Sequence, residues 1–217
     1  MNELTPPALV AFLGAVLICL LPQVRHNRVY LLHIFKAGAL VGAIDLMVEL
    51  IGTYSGGWTY HESSLFLFGT VPGELPLLFI SSGIWLGAFH LLIRNSRQTA
   101  ISLDRVLVSL TAMTLLIYLG SFTTAVPFRM IIFTLPFGLW GYSQFNEDRQ
   151  KAFAIILASL TAIADWLIET WAVGRGSYNY AEGFTIETPL TYALLTLGFL
   201  GILELYSSEH LNLDRTL

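Results

Sequence analysis

Two stretches of this sequence set carboxylates and aromatic rings in the same order. "DLMVELIGTYSGGWTY" runs from Asp45 to Tyr60, and "DWLIETWAVGRGSYNY" from Asp165 to Tyr180. In each, two acids stand four residues apart, Asp45 with Glu49 and Asp165 with Glu169, so each pair shares one helical face. Glycine and then aromatic residues follow: Trp58 and Tyr60 in the first stretch, Tyr178 and Tyr180 in the second, which also carries Trp166 and Trp171. Beyond them stand two more acids, Glu74 in "ELPLLF" and Glu187 in "ETPLTY". Carboxyl groups serve as general acids and bases, and the face of an aromatic ring attracts a cation. Together, in apolar surroundings, they suit protonation of an alkene: one carboxylic acid gives a proton, the rings steady the carbocation, and a second carboxylate takes a proton back. A cyclase or hydratase of this kind needs no cofactor. The sequence agrees, since it has neither a phosphate loop nor a GxSxG nucleophile elbow.

The two stretches are copies. An offset of about 120 positions, the distance from Asp45 to Asp165, superposes Glu49 on Glu169, Gly56 on Gly176, Trp58 on Tyr178, Tyr60 on Tyr180 and Glu62 on Glu182 without a gap. Downstream the second copy is several residues shorter before Glu187 aligns with Glu74. Two blocks matching in order indicate an internal duplication.

The elements that must position these residues are membrane helices. Of 217 residues 55% are hydrophobic and 12% charged, about half the charged share of an ordinary soluble domain; mean hydropathy is +0.67. Runs long enough to cross a bilayer core of ~30 Å, at ~1.5 Å per helical residue, fall at 7–23, 30–53, 74–94, 103–121, 126–143, 151–173 and 188–206. The expected fold is an all-α membrane protein: one transmembrane domain, 1–217, of seven helices. The copies lie on the second and third and on the sixth and seventh spans, an even shift, so both cross in the same direction. That gives two parallel three-helix repeats, about 7–94 and 126–206, joined by a linker helix at 103–121. The first span has no basic leader and no small-residue cleavage site, and reads as a retained helix.

Basic residues set the orientation. Arg25, Arg28, Arg94, Arg97, Arg105, Arg149, Lys151 and Arg215 share the side of the C-terminus, against Arg129 and Arg175 opposite, which places the N-terminus outside and the C-terminus in the cytoplasm of a cell-membrane protein. In this frame all six acids of the two copies gather near the outer surface, and the Gly-aromatic segments fold back over them. Pro72 and Pro76 flank Glu74, and Pro189 follows Glu187, as the first turn of a helix tolerates.

Plainer roles stand beside these. Glu62 and Glu182 read as solvated loop acids, and Asp45, Glu49, Asp165 and Glu169 are equally the residues that hydrogen-bond between helices in a bundle core. An acid within a span is nevertheless a functional candidate by default. His33 and His90 sit singly in their spans and read as core residues; without paired ligands no metal site is expected. The only lysines are Lys36 and Lys151, neither within the seventh span, which disfavours a retinal Schiff base. Cys19, the single cysteine, forms no internal disulfide.

At "GTVPGELPLLF", Gly69 to Phe79, preceded by "DLMVELIGTYSGGWTY", the chain resembles the integral-membrane lycopene cyclases. Each half of those proteins has an Asp-bearing helix, a Gly-x-Trp segment and a Pro-x-Glu-Glu motif opening the next helix; Asp45, Trp58, Pro72 and Glu74 match. The second copy, Asp165 to Phe184, is similar to the related carotenoid 1,2-hydratases. Where the family doubles its glutamate, this chain has Glu74-Leu75 and Glu187-Thr188, and the second copy lacks the proline. At superfamily level the resemblance implies a membrane-embedded enzyme that protonates a C=C bond of a long isoprenoid or carotenoid drawn from the bilayer. Cyclisation without redox chemistry is the expected outcome, and hydration the alternative. Glu74 and Glu187 are the carried-over acids, the Asp45/Glu49 and Asp165/Glu169 pairs position the donor or accept a proton, and Trp58, Tyr60, Trp166, Trp171, Tyr178 and Tyr180 line the substrate. A different class of answer is a carrier or binding protein for a lipophilic molecule, since carriers too are built from repeats with buried acids. On either reading the expected partners are membrane lipids and a long isoprenoid or carotenoid from the bilayer, not nucleic acid. Substrate, product and oligomeric state are left open by the sequence.

Overall fold

A computed structural model of the chain describes residues 4–54, 56–61, 63, 65–95, 129–180 and 187–210. The expected linker helix at 103–121, together with Glu62 and Glu182, lies outside these residues. The described part is 81% helical. Its elements, in order, are α1 (Thr5–Leu20), α2 (Pro22–Arg25), α3 (Arg28–Tyr54), β1 (Trp58–Tyr60), β2 (Phe66–Leu67), β3 (Val71–Pro72), α4 (Glu74–Asn95), α5 (Arg129–Ser143), α6 (Asp148–Gly174), β4 (Tyr178–Tyr180) and α7 (Glu187–His210).

Local chemistry sets most boundaries. Pro22 biases Leu21 away from the helical region, and Leu21 is extended at φ −55°, ψ 134°, so the first apolar run stops at Leu20 and not at residue 23. Asn27 caps α3, its Oδ1 accepting the backbone N–H groups of Val29 at 3.0 Å and Tyr30 at 3.2 Å. Glu74 is the first residue of α4, an acidic side chain at the helix's positive end.

Among the described residues three helices are long and apolar enough to cross a membrane: Glu74–Arg94 within α4, Asp148–Gly174, and Glu187–Ser207 within α7. They fit a membrane protein. Helix α1, 16 residues, is apolar but shorter, and the 27-residue α3 carries Arg28, Lys36, Asp45 and Glu49 along its length.

The chain forms two compact units. The first holds residues 1–91 and 168–184, the second 92–167 and 185–217. In the first, α3 and α4 meet through small residues. A Cβ on Gly83 would stand 2.6 Å from Ala37 O and 2.8 Å from Gly38 Cα, and one on Gly87 3.1 Å from Ile34 Cα. Glycines four apart on both helices, Gly38 with Gly42 and Gly83 with Gly87, allow this backbone approach, as small-residue seams do in membrane bundles. Trp85 of α4 reaches α1, its Nε1 donating to Ala11 O at 3.1 Å. His33 and His90, expected to sit singly, pair across the same seam: His90 Nδ1 lies 3.1 Å from His33 Nε2 and the rings stack at 5.1 Å. Each is the other's polar partner, which is how an apolar interface keeps an imidazole.

The second unit repeats the device. A Cβ on Gly201 of α7 would stand 2.4 Å from Gly141 Cα of α5, and one on Gly138 would be 3.0 Å from Leu194 O. Ala158 and Ala162 of α6 pack on Ala193 and Leu197 of α7. Arg94 and Glu204 form an ion pair at 3.7 Å.

These seams predict a contrast between glycines. Gly83→Val should lower stability by about 1–3 kcal/mol, because its side chain must displace backbone. Gly174→Ala meets nothing within 4 Å, and should change stability by no more than about 0.5 kcal/mol. Thermal unfolding in detergent of both variants checks this; equal melting temperatures would refute the close seam.

Candidate functional site

The chemistry-bearing residues of the first unit are placed by two matching helix ends. At the end of α3, Gly57 N–H donates to Gly52 O at 2.8 Å and Gly56 N–H to Thr53 O at 3.2 Å. At the end of α6, Ser177 N–H donates to Ala172 O at 3.1 Å and Gly176 N–H to Val173 O at 2.9 Å. These paired bonds are a Schellman motif, whose penultimate residue takes a left-handed conformation that glycine adopts without penalty. Gly56 has φ +74° and Gly176 φ +75°. The chain therefore reverses at both ends and runs back beside its own last turns.

Each reversal leads into a three-residue strand, and the two strands pair. β1 and β4 are antiparallel, with Trp58 opposite Tyr180, Thr59 opposite Asn179 and Tyr60 opposite Tyr178. Shifting each residue by the repeat offset turns this set of pairs into itself, so a local twofold passes through the Thr59–Asn179 pair. His61 N–H extends the ladder to Ser177 O at 3.1 Å, and His61 Nε2 lies 3.0 Å from Asn179 Nδ2.

The aromatic side chains reach back to the acids. Glu49 Oε2 accepts the indole N–H of Trp58 and the hydroxyl of Tyr60, both at 2.8 Å. Glu169 Oε2 accepts the hydroxyls of Tyr178 and, at 3.0 Å, Tyr180. Both carboxyl groups are buried. Rings close the group: Tyr60 and Tyr178 stand 5.1 Å apart, Trp58 and Tyr180 6.0 Å apart edge to face. On each glutamate one oxygen takes both hydrogen bonds, and Oε1 takes neither. A carboxyl clamped through one oxygen holds the other in a fixed direction for proton exchange.

No family model, curated protein or solved structure matches this chain.

Six of the expected residues thus come together: Glu49, Glu169, Trp58, Tyr60, Tyr178 and Tyr180. Asp45 is buried one turn before Glu49 on the same face of α3. Glu74, half-buried at the start of α4, lies with its Oε2 2.9 Å from the Ser63 hydroxyl. Trp171 is not drawn into the group; it sits two residues from Glu169 on α6, 38% exposed, with the Arg175 guanidinium 5.4 Å over its ring. Asp165, Trp166 and Glu187 belong to the second unit, where Glu187 is buried at the first position of α7. Among the described residues no cluster of histidine, cysteine and carboxylate could hold a metal ion.

Sequence reasoning missed some partners. Thr53, which binds Thr70 Oγ1 at 3.1 Å, ties the end of α3 to the β2–β3 turn. Gly52, one helical turn beyond Glu49, lies under the ring of Trp58, and its counterpart Ala172 is buried in the same cluster as Tyr178; carrying the repeat offset to these small residues would have found them.

The clamp is testable by a double-mutant cycle. Tyr60→Phe removes one donor from a buried oxygen and should destabilise by about 0.5–1.5 kcal/mol. In a Glu49→Gln background the same change should cost measurably less, with a coupling of at least ~0.5 kcal/mol. Thermal unfolding of the four proteins decides it; additive effects would mean that the hydrogen bond carries no stability.

Proposed function

We propose that this protein is a membrane-embedded enzyme that isomerises a long isoprenoid or carotenoid by protonating a C=C bond, with cyclisation as the outcome, and that Glu49 and Glu169 carry the proton chemistry. One observation supports this above all: two buried glutamates related by a local twofold, each held at Oε2 by aromatic donors while Oε1 takes no part in the clamp. A neutral acid so held presents O–H in a set direction, and a carboxylate so held presents a lone pair. The surrounding rings offer π-faces to a developing cation.

The likeness in motif to membrane lycopene cyclases and carotenoid hydratases points the same way. In this reading Asp45 and Glu74 flank the pair, Asp165 and Glu187 play the matching parts in the second copy, and Trp166 and Trp171 face substrate or lipid. The chain spans the membrane seven times as two parallel repeats, N-terminus outside, and the twin helix ends and the symmetric strand pair are what such a duplication would leave. The substrate enters from the bilayer, and no cofactor is required.

The test is to express the chain in cells that accumulate a linear carotenoid and to weigh the extracted pigment. Cyclisation leaves the mass unchanged with a new retention time, hydration adds one water, and a carrier returns the substrate intact. Replacing either Glu49 or Glu169 by Gln should lower product formation by ~10²-fold or more. Full yield from the doubly substituted protein would end this assignment.

A further inference from the structure

The twofold of the site is broken at one position on each side. Equivalent residues keep the clamp, Glu49 with Glu169 and Tyr60 with Tyr180, but Trp58 faces its glutamate with an indole where Tyr178 uses a phenol. The helices compensate. A Cβ on Gly52 would stand 1.9 Å from Trp58 Cη2 and 2.0 Å from Cζ2, so this ring requires glycine beneath it. The equivalent residue is Ala172, fully buried in the same cluster as the smaller Tyr178. The larger ring comes with the smaller helix residue, and both polar edges still arrive at Oε2.

We infer that this exchange makes the two glutamates unlike: Glu49 is the proton donor and Glu169 the acceptor, with Trp58 and Gly52 as the positioning residues that assign the roles. The inference rests on the reaction proposed above. An indole N–H donates and never accepts, whereas a phenol hydroxyl does either. Of the two donors on Glu49 Oε2 only the Tyr60 hydroxyl can also accept a proton, so the indole of Trp58 biases a proton held by Glu49 toward Oε1, outside the clamp and available to substrate. Glu169 has phenols on both bonds. Either hydroxyl can turn and accept, so a proton arriving at Glu169 is received within the network.

The step balances without an added reagent. The Oε1–H bond of Glu49 breaks, leaving its electron pair on the carboxylate, and the alkene π pair forms a C–H bond. A second alkene of the substrate adds to the cation through a C–C bond. The neighbouring C–H bond then breaks, its pair making the new C=C while the proton goes to Glu169. One proton passes across the pair and must return.

Two readouts test this. The first needs no substrate: infrared spectra of the protein in lipid bilayers, with the carboxylic-acid C=O band recorded for the wild type, Glu49→Gln and Glu169→Gln. The band should be present in the wild type, lost in Glu49→Gln and kept in Glu169→Gln. Equal loss in both, loss in Glu169→Gln alone, or no such band in the wild type would overturn the assignment. The double substitution Gly52→Ala/Trp58→Tyr copies the residue pair of the other side, conserving packing volume, and keeps both glutamates. It should split or broaden the band as the two sites become alike, and an unchanged band would count against the proposal even if neither Gln variant folds.

The second readout is deuterium exchange from D2O into recovered linear carotenoid. Glu169→Gln should retain exchange while losing product, because donation survives, and Glu49→Gln should lose both by ~10²-fold. Equal exchange in the two variants would overturn the roles. If no isoprenoid is ever turned over, the enzyme reading fails, and the infrared result still decides whether the glutamates differ.

Discussion

A carboxylate buried in an apolar helix must find hydrogen-bond donors or forfeit the stability of the helix that carries it. Glu49 and Glu169 each lie within the last two turns of a long helix, where the helix's own N–H groups are already engaged. Their donors come from residues just past the helix end, and only a chain that doubles back can deliver them. Gly56 and Gly176 provide that reversal by taking positive φ. From this single requirement come the two reversed segments, the meeting of β1 with β4 and the position of the four rings.

Two kinds of adhesion hold the described units, and they differ in specificity. Between α3 and α4, and between α5 and α7, glycines bring backbones into contact, and the attraction is dispersion spread over many atoms. Such seams tolerate small slides along the helix. At the carboxylate group a displacement of about 1 Å breaks hydrogen bonds whose useful range is about 2.5–3.2 Å. The apolar seam therefore supplies proximity and the polar clamp supplies register. The His33–His90 bond adds a second point of register on the α3–α4 seam.

The acids and rings of the site were readable from the offset between two short stretches, because a duplicated motif repeats its geometry as well as its letters. Asp45 to Tyr60 and Asp165 to Tyr180 contain the two glutamates and four rings that meet, but neither the bonds between them nor the separation of Glu74 and Trp171 from the group is visible in the letters. Among the described residues helix positions follow the apolar runs, with an error where proline intervenes, as at Leu21. What the one-dimensional reading lacked was pairing across the chain. His33 and His90 are 57 positions apart, and no local pattern relates them. Nor did spacing distinguish Trp171 from the rings that bind the acids. Its place two residues from Glu169 turns it toward another face of α6, and a helical wheel for that helix contains this information.

A purely architectural role for the glutamates meets a physical objection. Closing a helix end over a strand pair needs only apolar contact, and Leu46, Leu50, Phe79 and Val173 already supply it in the cluster around Tyr178. Exchanging a buried polar group and all its partners for hydrocarbon of similar shape is commonly neutral or stabilising. A fold seeking stability alone would gain nothing by burying two carboxyl groups beside the same four rings.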